Sequence, residues 1–238
     1  MKINSKGVAP GNGNVIELKD IHKIYKMGGE DVHALRGVSL EIKRGEFVAI
    51  MGPSGSGKTT LMNIIGLLDK PSSGDYRLDG ENVNRIGKSG QAQIRNRRIG
   101  FVFQAFNLLP RTTVLDNVLL PTIYGESGDG RGRAQGLIEK LGLGDVAHHR
   151  SNQLSGGQVQ RVAIARALIM EPSIIIADEP TGNLDSVTAA EIMGVFRKIN
   201  TDGATLVLIT HEQELAAWAG RTVRLLDGRI IGTEGAGS

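Results

Sequence analysis

The sequence predicts an α/β fold with a parallel-sheet core, an N-terminal antiparallel β subdomain and an inserted helical subdomain. Three short runs are continuously apolar, which is typical of strands buried on both faces of a parallel sheet. Segments with helical character lie between these runs, and such alternation of strand and helix indicates an α/β core. The predicted core strands are residues 47–50, 174–177 and 206–209, and the predicted helices are residues 60–67, 157–170, 189–200 and 212–219.

The segments outside the core strands predict the two other parts of the fold. Residues 15–18 and 38–42 alternate between apolar and polar side chains, which favours antiparallel strands with one solvated face. Residues 107–170 contain no convincing strand and predict helices joined by glycine-rich loops, so we interpret them as the inserted helical subdomain. The expected domain covers residues 15–232, and the expected loose tails are residues 1–14 and 233–238.

The composition indicates a globular protein that neither spans a membrane nor is secreted. Of the 238 residues, 40% are hydrophobic and 22% are charged, and no apolar run approaches the length that crosses a bilayer. Residues 1–7 lack the apolar core of a secretory signal and the chain has no cysteine, so we expect a cytoplasmic protein without disulfides. The net charge of +3 is small for a dedicated nucleic-acid binder, and we expect no nucleic-acid partner.

A glycine-rich loop between the first core strand and the next helix has the spacing of a phosphate-binding loop. Its glycines let consecutive backbone N–H groups point inward, while the helix presents the positive end of its dipole. Lys58 supplies a cation, and Thr59 a hydroxyl that can ligate Mg²⁺. A flexible surface loop is the alternative, and the position between a strand and a helix disfavours it. The predicted nucleotide-binding residues here are Gly52, Pro53, Ser54, Gly55, Ser56, Gly57, Lys58, Thr59 and Thr60.

Two adjacent carboxylates, Asp178 and Glu179, end the second core strand. Ligands of such sheets lie beyond the carboxyl ends of the strands, so both acids should lie near the bound phosphates. Asp178 is the candidate for holding Mg²⁺ opposite Thr59, and Glu179 is the candidate for orienting and deprotonating an attacking water. The alternative is an acidic turn that follows a strand without chemical function.

A second glycine-rich turn precedes the predicted helix at 157–170. It combines a hydroxyl, permissive glycines and a helix N-terminus, which together can form an anion site. Taken alone, the turn is better explained by a serine N-cap. The residues concerned are Leu154, Ser155, Gly156, Gly157 and Gln158.

The combination of these strings resembles the nucleotide-binding domain of ABC transporters over residues 15–232. The other matching strings are Gln104 in Phe101-Val-Phe-Gln104, residues 176–180, residues 182–185 and His211. The pentapeptide at 154–158 is the diagnostic signature of that family. The resemblance implies a P-loop NTPase fold of the RecA-like type and a Mg²⁺-dependent ATPase. Within the family, the chain is similar to the branch for lipoprotein release and macrolide or peptide export, which includes septal ATPases.

The resemblance also implies a dimer in which two copies face each other head to tail. Each ATP would lie between the phosphate-binding loop of one copy and the signature of the other. Ser155, Gly157 and Gln158 would contact the γ-phosphate across the interface. Asp185 would couple the two sites, and an N-cap for the helix after Ser186 is the alternative for that residue.

Three further residues receive roles from the resemblance. Tyr25 would stack on the adenine, Gln104 would reach Mg²⁺ and the attacking water, and His211 would contact the γ-phosphate and position the water beside Glu179. The respective alternatives are a half-buried strand residue, a polar loop residue and a structural histidine. The string Gly182-Asn-Leu-Asp185 varies from the alanine-bearing version that is commoner in the family, which leaves the conformation of that loop open.

Together these inferences predict an ATP-hydrolysing subunit that binds ATP and Mg²⁺, dimerises and drives a separately encoded membrane permease at the inner face of the membrane. Its cargo would be lipoprotein, drug or peptide; the alternative is a regulatory ATPase of the septal type without bulk transport. An ATPase acting on DNA or ribosomes is disfavoured because the chain shows neither tandem domains nor a coiled-coil insertion. The basic residues at 95–98 predict a solvated face, with permease or lipid contact as a competing hypothesis.

Overall fold

The computed structural model describes residues 13–125 and 129–235, which form ten strands arranged in two sheets. One sheet has four strands in the order β2-β1-β4-β5 and is antiparallel throughout. The other has six strands in the order β10-β9-β3-β8-β7-β6. The strands are β1 (Asn14–Met27), β2 (Glu30–Lys43), β3 (Phe47–Met51), β4 (Ser73–Leu78), β5 (Glu81–Asn82), β6 (Ile99–Phe103), β7 (Ile174–Asp178), β8 (Leu206–Thr210), β9 (Arg221–Leu226) and β10 (Arg229–Gly235).

The six-stranded sheet confirms the predicted α/β core. Strands β9, β3, β8, β7 and β6 run parallel, and β10 pairs antiparallel with β9 at the edge. The three predicted core strands are β3, β7 and β8. Parallel strands end at the same edge of a sheet, so the residues that follow them meet there. Gly52, Gln104, Glu179 and His211 each come directly after one of these parallel strands.

Helices cover both faces of this sheet. They are α1 (Lys58–Ile65), α2 (Lys88–Arg98), α3 (Val114–Leu119), α4 (Gly130–Lys140), α5 (Gly156–Leu168), α6 (Ser186–Thr201) and α7 (Gln213–Ala216), with 3₁₀ turns at Leu120–Tyr124, Gly144–Val146 and Ser151–Gln153. The stretch predicted to be helical contains α3, α4, α5 and these turns, and its described residues form no strand beyond one isolated bridge between Thr113 and Arg150. No helix among the residues described here has the length and apolar character needed to cross a bilayer.

The hydrophobic core has two layers separated by the parallel sheet. Along β3 all five residues are buried, and their side chains alternate between the two layers. Val48 and Ile50 pack with α1 and the antiparallel sheet, whereas Ala49 packs with the helices of the other face, including Phe196 of α6. This two-sided burial is the physical reason that the predicted core strands are continuously apolar.

The ordered sheet extends beyond both predicted domain ends. Strand β1 begins at Asn14, and β10 continues to Gly235, three residues past the expected boundary at Gly232. Thr233 and Glu234 pair with Val223 and Thr222 of β9, so a partner strand holds residues that the glycine-rich composition assigned to a tail. The remainder of the predicted tails, at 1–12 and 236–238, lies outside the described residues, as do residues 126–128 of the loop in the helical region.

Candidate active site

The loop between β3 and α1 forms a cradle that only glycine permits at two positions. A Cβ atom at Gly52 would lie 2.1 Å from the carbonyl oxygen of Leu225, and one at Gly57 would lie 2.7 Å from that of Ala34. Gly57 is also left-handed, with φ of 102°. No side chain caps α1, so the N–H groups of its first turn remain free of a side-chain acceptor. This arrangement fits a bound phosphate.

The ammonium of Lys58 lies within this cradle. Its Nζ donates to the backbone carbonyls of Gly52 at 2.7 Å and Pro53 at 2.9 Å. A carbonyl is a weaker partner for a cation than a phosphate oxygen, so the side chain is positioned to exchange these bonds for an anion. Ser56 is buried, and its hydroxyl has no partner among the described residues.

The cradle opens into a cleft of about 870 Å³ at the carboxyl edge of the parallel sheet. Nine of the residues predicted to form the site line it: Gly52, Pro53, Ser54, Lys58, Thr59, Gln104, Asp178, Glu179 and His211. Residues that sequence reasoning did not predict also line it: Met51, Ile209, Gln213, Arg224, Leu225, Leu226 and Ile231. Leu226 and Ile231 lie on either side of the turn between β9 and β10 with exposed apolar side chains, an exposure that only the folded chain reveals.

Glu179 and His211 form the closest polar contact of the cleft. Oε1 of Glu179 accepts from Nδ1 of His211 at 2.6 Å and from its backbone N–H at 3.1 Å, while Oε2 accepts from the hydroxyl of Thr210 at 3.3 Å. The hydrogen bond to Glu179, followed by its negative charge, raises the pKa of His211. Glu179 has a left-handed backbone with φ of 44°, which is unfavourable for a residue with a side chain.

Asp178 lies beside these residues and is the candidate cation ligand. Partial burial raises the pKa of its carboxyl group; the charge of Glu179 acts in the same direction, and Lys58 opposes it. Thr59, Gln104 and Asp178 supply only oxygen donors of the kind that Mg²⁺ prefers. Among the described residues no cluster of three His, Cys, Asp or Glu side chains forms a separate metal site. The donor set therefore fits a Mg²⁺ ion that takes further ligands from nucleotide phosphates and water.

Gln104 is held against the loop that follows Glu179. The amide of Asn183 donates to the backbone carbonyl of Gln104 at 2.9 Å, and Nε2 of Gln104 lies 3.5 Å from Oδ1 of Asn183. A Cβ atom at Gly182 would lie 2.6 Å from Nε2 of Gln104. The glycine at 182 therefore allows this close approach.

Tyr25 does not line the cleft but lies at the edge of the phosphate-binding loop. Its hydroxyl donates to Asp69 at 2.8 Å, and Thr60 of α1 lies near it. The ammonium of Lys23 lies 4.7 Å from the centroid of the ring, within the range of a cation–π contact. Burial is the main cause that raises the pKa of the Tyr25 hydroxyl. These contacts fix the ring, and its stacking on adenine stays a prediction.

The signature turn caps a helix and does not line the cleft of its own chain. The hydroxyl of Ser155 accepts from the backbone N–H of Gln158 at 3.3 Å, and Oε1 of Gln158 accepts from the N–H of Ser155 at 2.9 Å. This is a capping box for α5. Asp185 likewise caps α6 through Val187 and Thr188. Within a single chain, Ser155 and Asp185 therefore both act as helix N-caps, which is the alternative that the sequence offered for each of them.

Comparison with known proteins identifies the family. The family model described as "ABC transporter" matches residues 35–182. The chain belongs to the ABC transporter family. It is 55% identical over 222 residues to an uncharacterized ABC transporter ATP-binding protein of Thermotoga maritima, covering 92% of this chain and 95% of that relative. It is also 53% identical over 220 residues to the macrolide export ATP-binding/permease protein MacB of Bdellovibrio bacteriovorus. That match covers 92% of this chain but only 34% of MacB.

Solved structures of this family support the same assignment. The dimeric bacterial ABC transporter cassette MJ0796 has a TM-score of 0.83 and 48% identity, covering 94% of this chain and 99% of its own. A second structure of MJ0796 is a dimeric post-hydrolysis state bound to ADP and Pi. It has a TM-score of 0.83 and 47% identity, covering 94% of this chain and 99% of its own. The predicted family, fold class and enzymatic activity are confirmed: the chain is an ABC ATPase with a P-loop NTPase fold.

Proposed function

We propose that this ABC cassette dimerises around two ATP molecules and that each active site is shared between the two copies. The observation that carries this proposal is that the signature turn does not line the cleft. Leu154, Ser155 and the two glycines after it do not line the cleft that holds Lys58 and Glu179. The dimeric structures of MJ0796 support an arrangement in which a second copy supplies the missing side of the site.

In this proposal the residues of the cleft divide the chemistry among them. Lys58 and the N–H groups of the loop bind the β- and γ-phosphates, and Thr59, Gln104 and Asp178 hold Mg²⁺. When bound, the ion would supply positive charge that neutralises the phosphate oxygens. Glu179 orients the attacking water and accepts its proton, since its carboxylate is already held by hydrogen bonds from Thr210 and His211.

The proposed partner is a membrane permease. Relatives named MacB combine the ATP-binding part with a permease, and the chain spans about a third of their length. The Thermotoga relative is matched over 95% of its length, so a relative of cassette size also occurs. We propose that the cassette acts at the inner face of the membrane through such a permease, in the export or extraction of drugs, peptides or lipoproteins.

A mixing experiment tests whether the active site is shared. Lys58→Ala removes the phosphate contact of one copy, and Ser155→Arg places a bulky side chain at the signature. Neither variant should hydrolyse ATP alone. A heterodimer retains one site with an intact loop from one copy and an intact signature from the other, so the mixture should recover hydrolysis. A mixture no more active than the sum of its components would contradict a shared site.

Glu179→Gln tests the assignment of the general base. The amide keeps the size of the side chain but cannot accept the proton, so ATP binding should persist while turnover is nearly abolished. We expect an ATP-bound dimer that is stable in size-exclusion chromatography. The matched control is Glu191→Gln, which removes an exposed carboxylate that pairs with Arg161 outside the cleft. Rapid steady-state hydrolysis by Glu179→Gln would show that another group is the base.

A further inference from the structure

Gln160 is a fully buried glutamine on α5, five residues after the signature serine. Its Nε2 donates to the backbone carbonyl of Pro180, the residue that follows Glu179. A carbonyl oxygen only accepts, so the bond fixes the orientation of the amide. The other amide atom, Oε1, is buried and receives no hydrogen bond from the described residues. An apolar side chain would avoid the cost of that unpaired atom, so packing alone does not account for a glutamine here.

The bond from Gln160 completes the anchoring of the turn that carries Glu179. The N–H of Glu179 donates to the carbonyl of Ile209 at 2.9 Å, and the carbonyl of Glu179 accepts from Gly182 at 3.1 Å. Gln160 holds the next carbonyl, that of Pro180. These three bonds hold the backbone of Glu179 in its left-handed conformation, with φ of 44°. The direction of the Glu179 carboxylate therefore depends on all three.

The same helix also carries the signature turn. Ser155 caps its N-terminus, and a Cβ atom at Gly157 would lie 2.7 Å from Cγ2 of Thr188 on α6. Gln160 lies on the first turns of α5, about 7.5 Å along the axis from Ser155 at 1.5 Å per residue. Over that distance a helix moves as a rigid unit, so a displacement at Ser155 is also a displacement at Gln160.

We propose that Gln160 is a positioning residue that links the signature turn to the Glu179 carboxylate of the same chain through Pro180. The proposal rests on the proposed roles of Glu179 and of the signature. In the dimer, the signature contacts the nucleotide of one site while Glu179 acts in the other. Gln160 thereby couples nucleotide engagement at one site to placement of the general base at the other.

The first test replaces the amide by an apolar side chain of similar length. Gln160→Met removes the donor to Pro180, so kcat for ATP hydrolysis should fall about 10- to 100-fold, the loss typical of a misplaced catalytic group. The KM for ATP should change by less than about two-fold, because no residue of the phosphate cradle is altered. The matched control is Gln91→Met, since Gln91 is also buried and donates its amide to a backbone carbonyl, that of Val83. That variant should keep kcat.

A second test separates positioning of Glu179 from a general loss of structure. In single-turnover hydrolysis with enzyme in excess, Gln160→Met should lower the rate in the wild-type background and have less than about two-fold effect in the Glu179→Gln background, because coupled residues are non-additive. Equal fold-losses in the two backgrounds would overturn the proposal, as would equal losses of kcat in Gln160→Met and Gln91→Met. Normal turnover by Glu179→Gln alone would instead overturn the proposed function.

Gln160→Glu provides a test that does not depend on the methionine variant folding. Burial raises the pKa of a carboxyl group, and the protonated form has an O–H that can donate to Pro180. The ionised form has no donor and repels the carbonyl. The kcat of Gln160→Glu relative to wild type should therefore fall as the pH rises from about 6 to about 9. A ratio that is constant over this range would overturn the proposal.

Discussion

Nδ1 of His211 and Oε1 of Glu179 lie 2.6 Å apart, and the backbone N–H of His211 donates to the same oxygen. Two bonds from one residue thus hold the carboxylate that follows β7 against the end of β8. Because the histidine side chain is largely exposed, its protonation responds to solvent pH while its position is set by the carboxylate. The pair joins a titrating group to the proposed base.

The pKa of His211 should lie above the ordinary histidine value because Glu179 stabilises the imidazolium. The His211–Glu179 pair stabilises the folded protein fully at pH values below the pKa that His211 has in the unfolded chain. This stabilisation is lost as the pH rises through the raised pKa of His211 in the folded protein. An NMR titration of the imidazole in wild type and in Glu179→Gln measures the effect. The substitution should lower the midpoint of His211. An unchanged midpoint would show that the hydrogen bond does not form in solution.

Loss of the Lys58 ammonium should weaken nucleotide binding more than it alters the fold. A hydrogen bond to a charged group contributes about 1.5–3 kcal/mol, so Lys58→Ala should raise the Kd for ATP about 10- to 100-fold. Isothermal titration of each variant with ATP and Mg²⁺ provides the measurement. Lys140→Ala is the control, since Lys140 pairs with Asp202 at the surface, outside the cleft. Equal Kd values for Lys58→Ala and wild type would exclude this lysine from phosphate binding.

Three of the five parallel strands, β3, β7 and β8, were predictable because they are buried on both faces. The runs at β3, β7 and β8 begin with at least four consecutive apolar residues, a pattern that one-sided burial does not produce. Strand β9 was missed because Arg221 and Arg224 interrupt its apolar pattern; their side chains pair with Glu46 and Glu234. Such charge pairing depends on tertiary contacts that periodicity does not record.

The site residues that directly follow a strand were predictable from the sequence. The contacts that hold these residues in place were not. Gln104 and Glu179 lie at predicted or observed strand ends, which brings them to one edge. The close approach of Gln104 to Gly182 and the bond from Gln160 to Pro180 join segments distant in sequence. No local pattern encodes such contacts, so they had to be observed in the folded chain.

Replacing Gly194 by alanine should stabilise the protein. Gly194 lies in the interior of α6, and a Cβ atom there would have no neighbour within 4 Å. Alanine in a helix interior is favoured over glycine by about 0.5–1 kcal/mol, which urea denaturation can resolve through the midpoint at constant m-value. Gly157→Ala is the contrasting variant, since its Cβ would lie 2.7 Å from Cγ2 of Thr188. A stabilisation shared by both variants would show that crowding against α6 has no effect.

The ring of Tyr25, rather than its hydroxyl, should contribute to ATP affinity. The hydroxyl is engaged with Asp69, and Lys23 lies over the ring, so both fix the aromatic plane beside the phosphate-binding loop. Stacking of a base on an aromatic side chain is worth about 1–3 kcal/mol, so Tyr25→Ala should raise the Kd for ATP about 5- to 150-fold. Tyr25→Phe retains the ring and loses only the hydroxyl contacts, and its Kd should stay close to that of wild type. If both variants weaken binding equally, the hydroxyl contact sets the affinity and adenine does not stack on this residue.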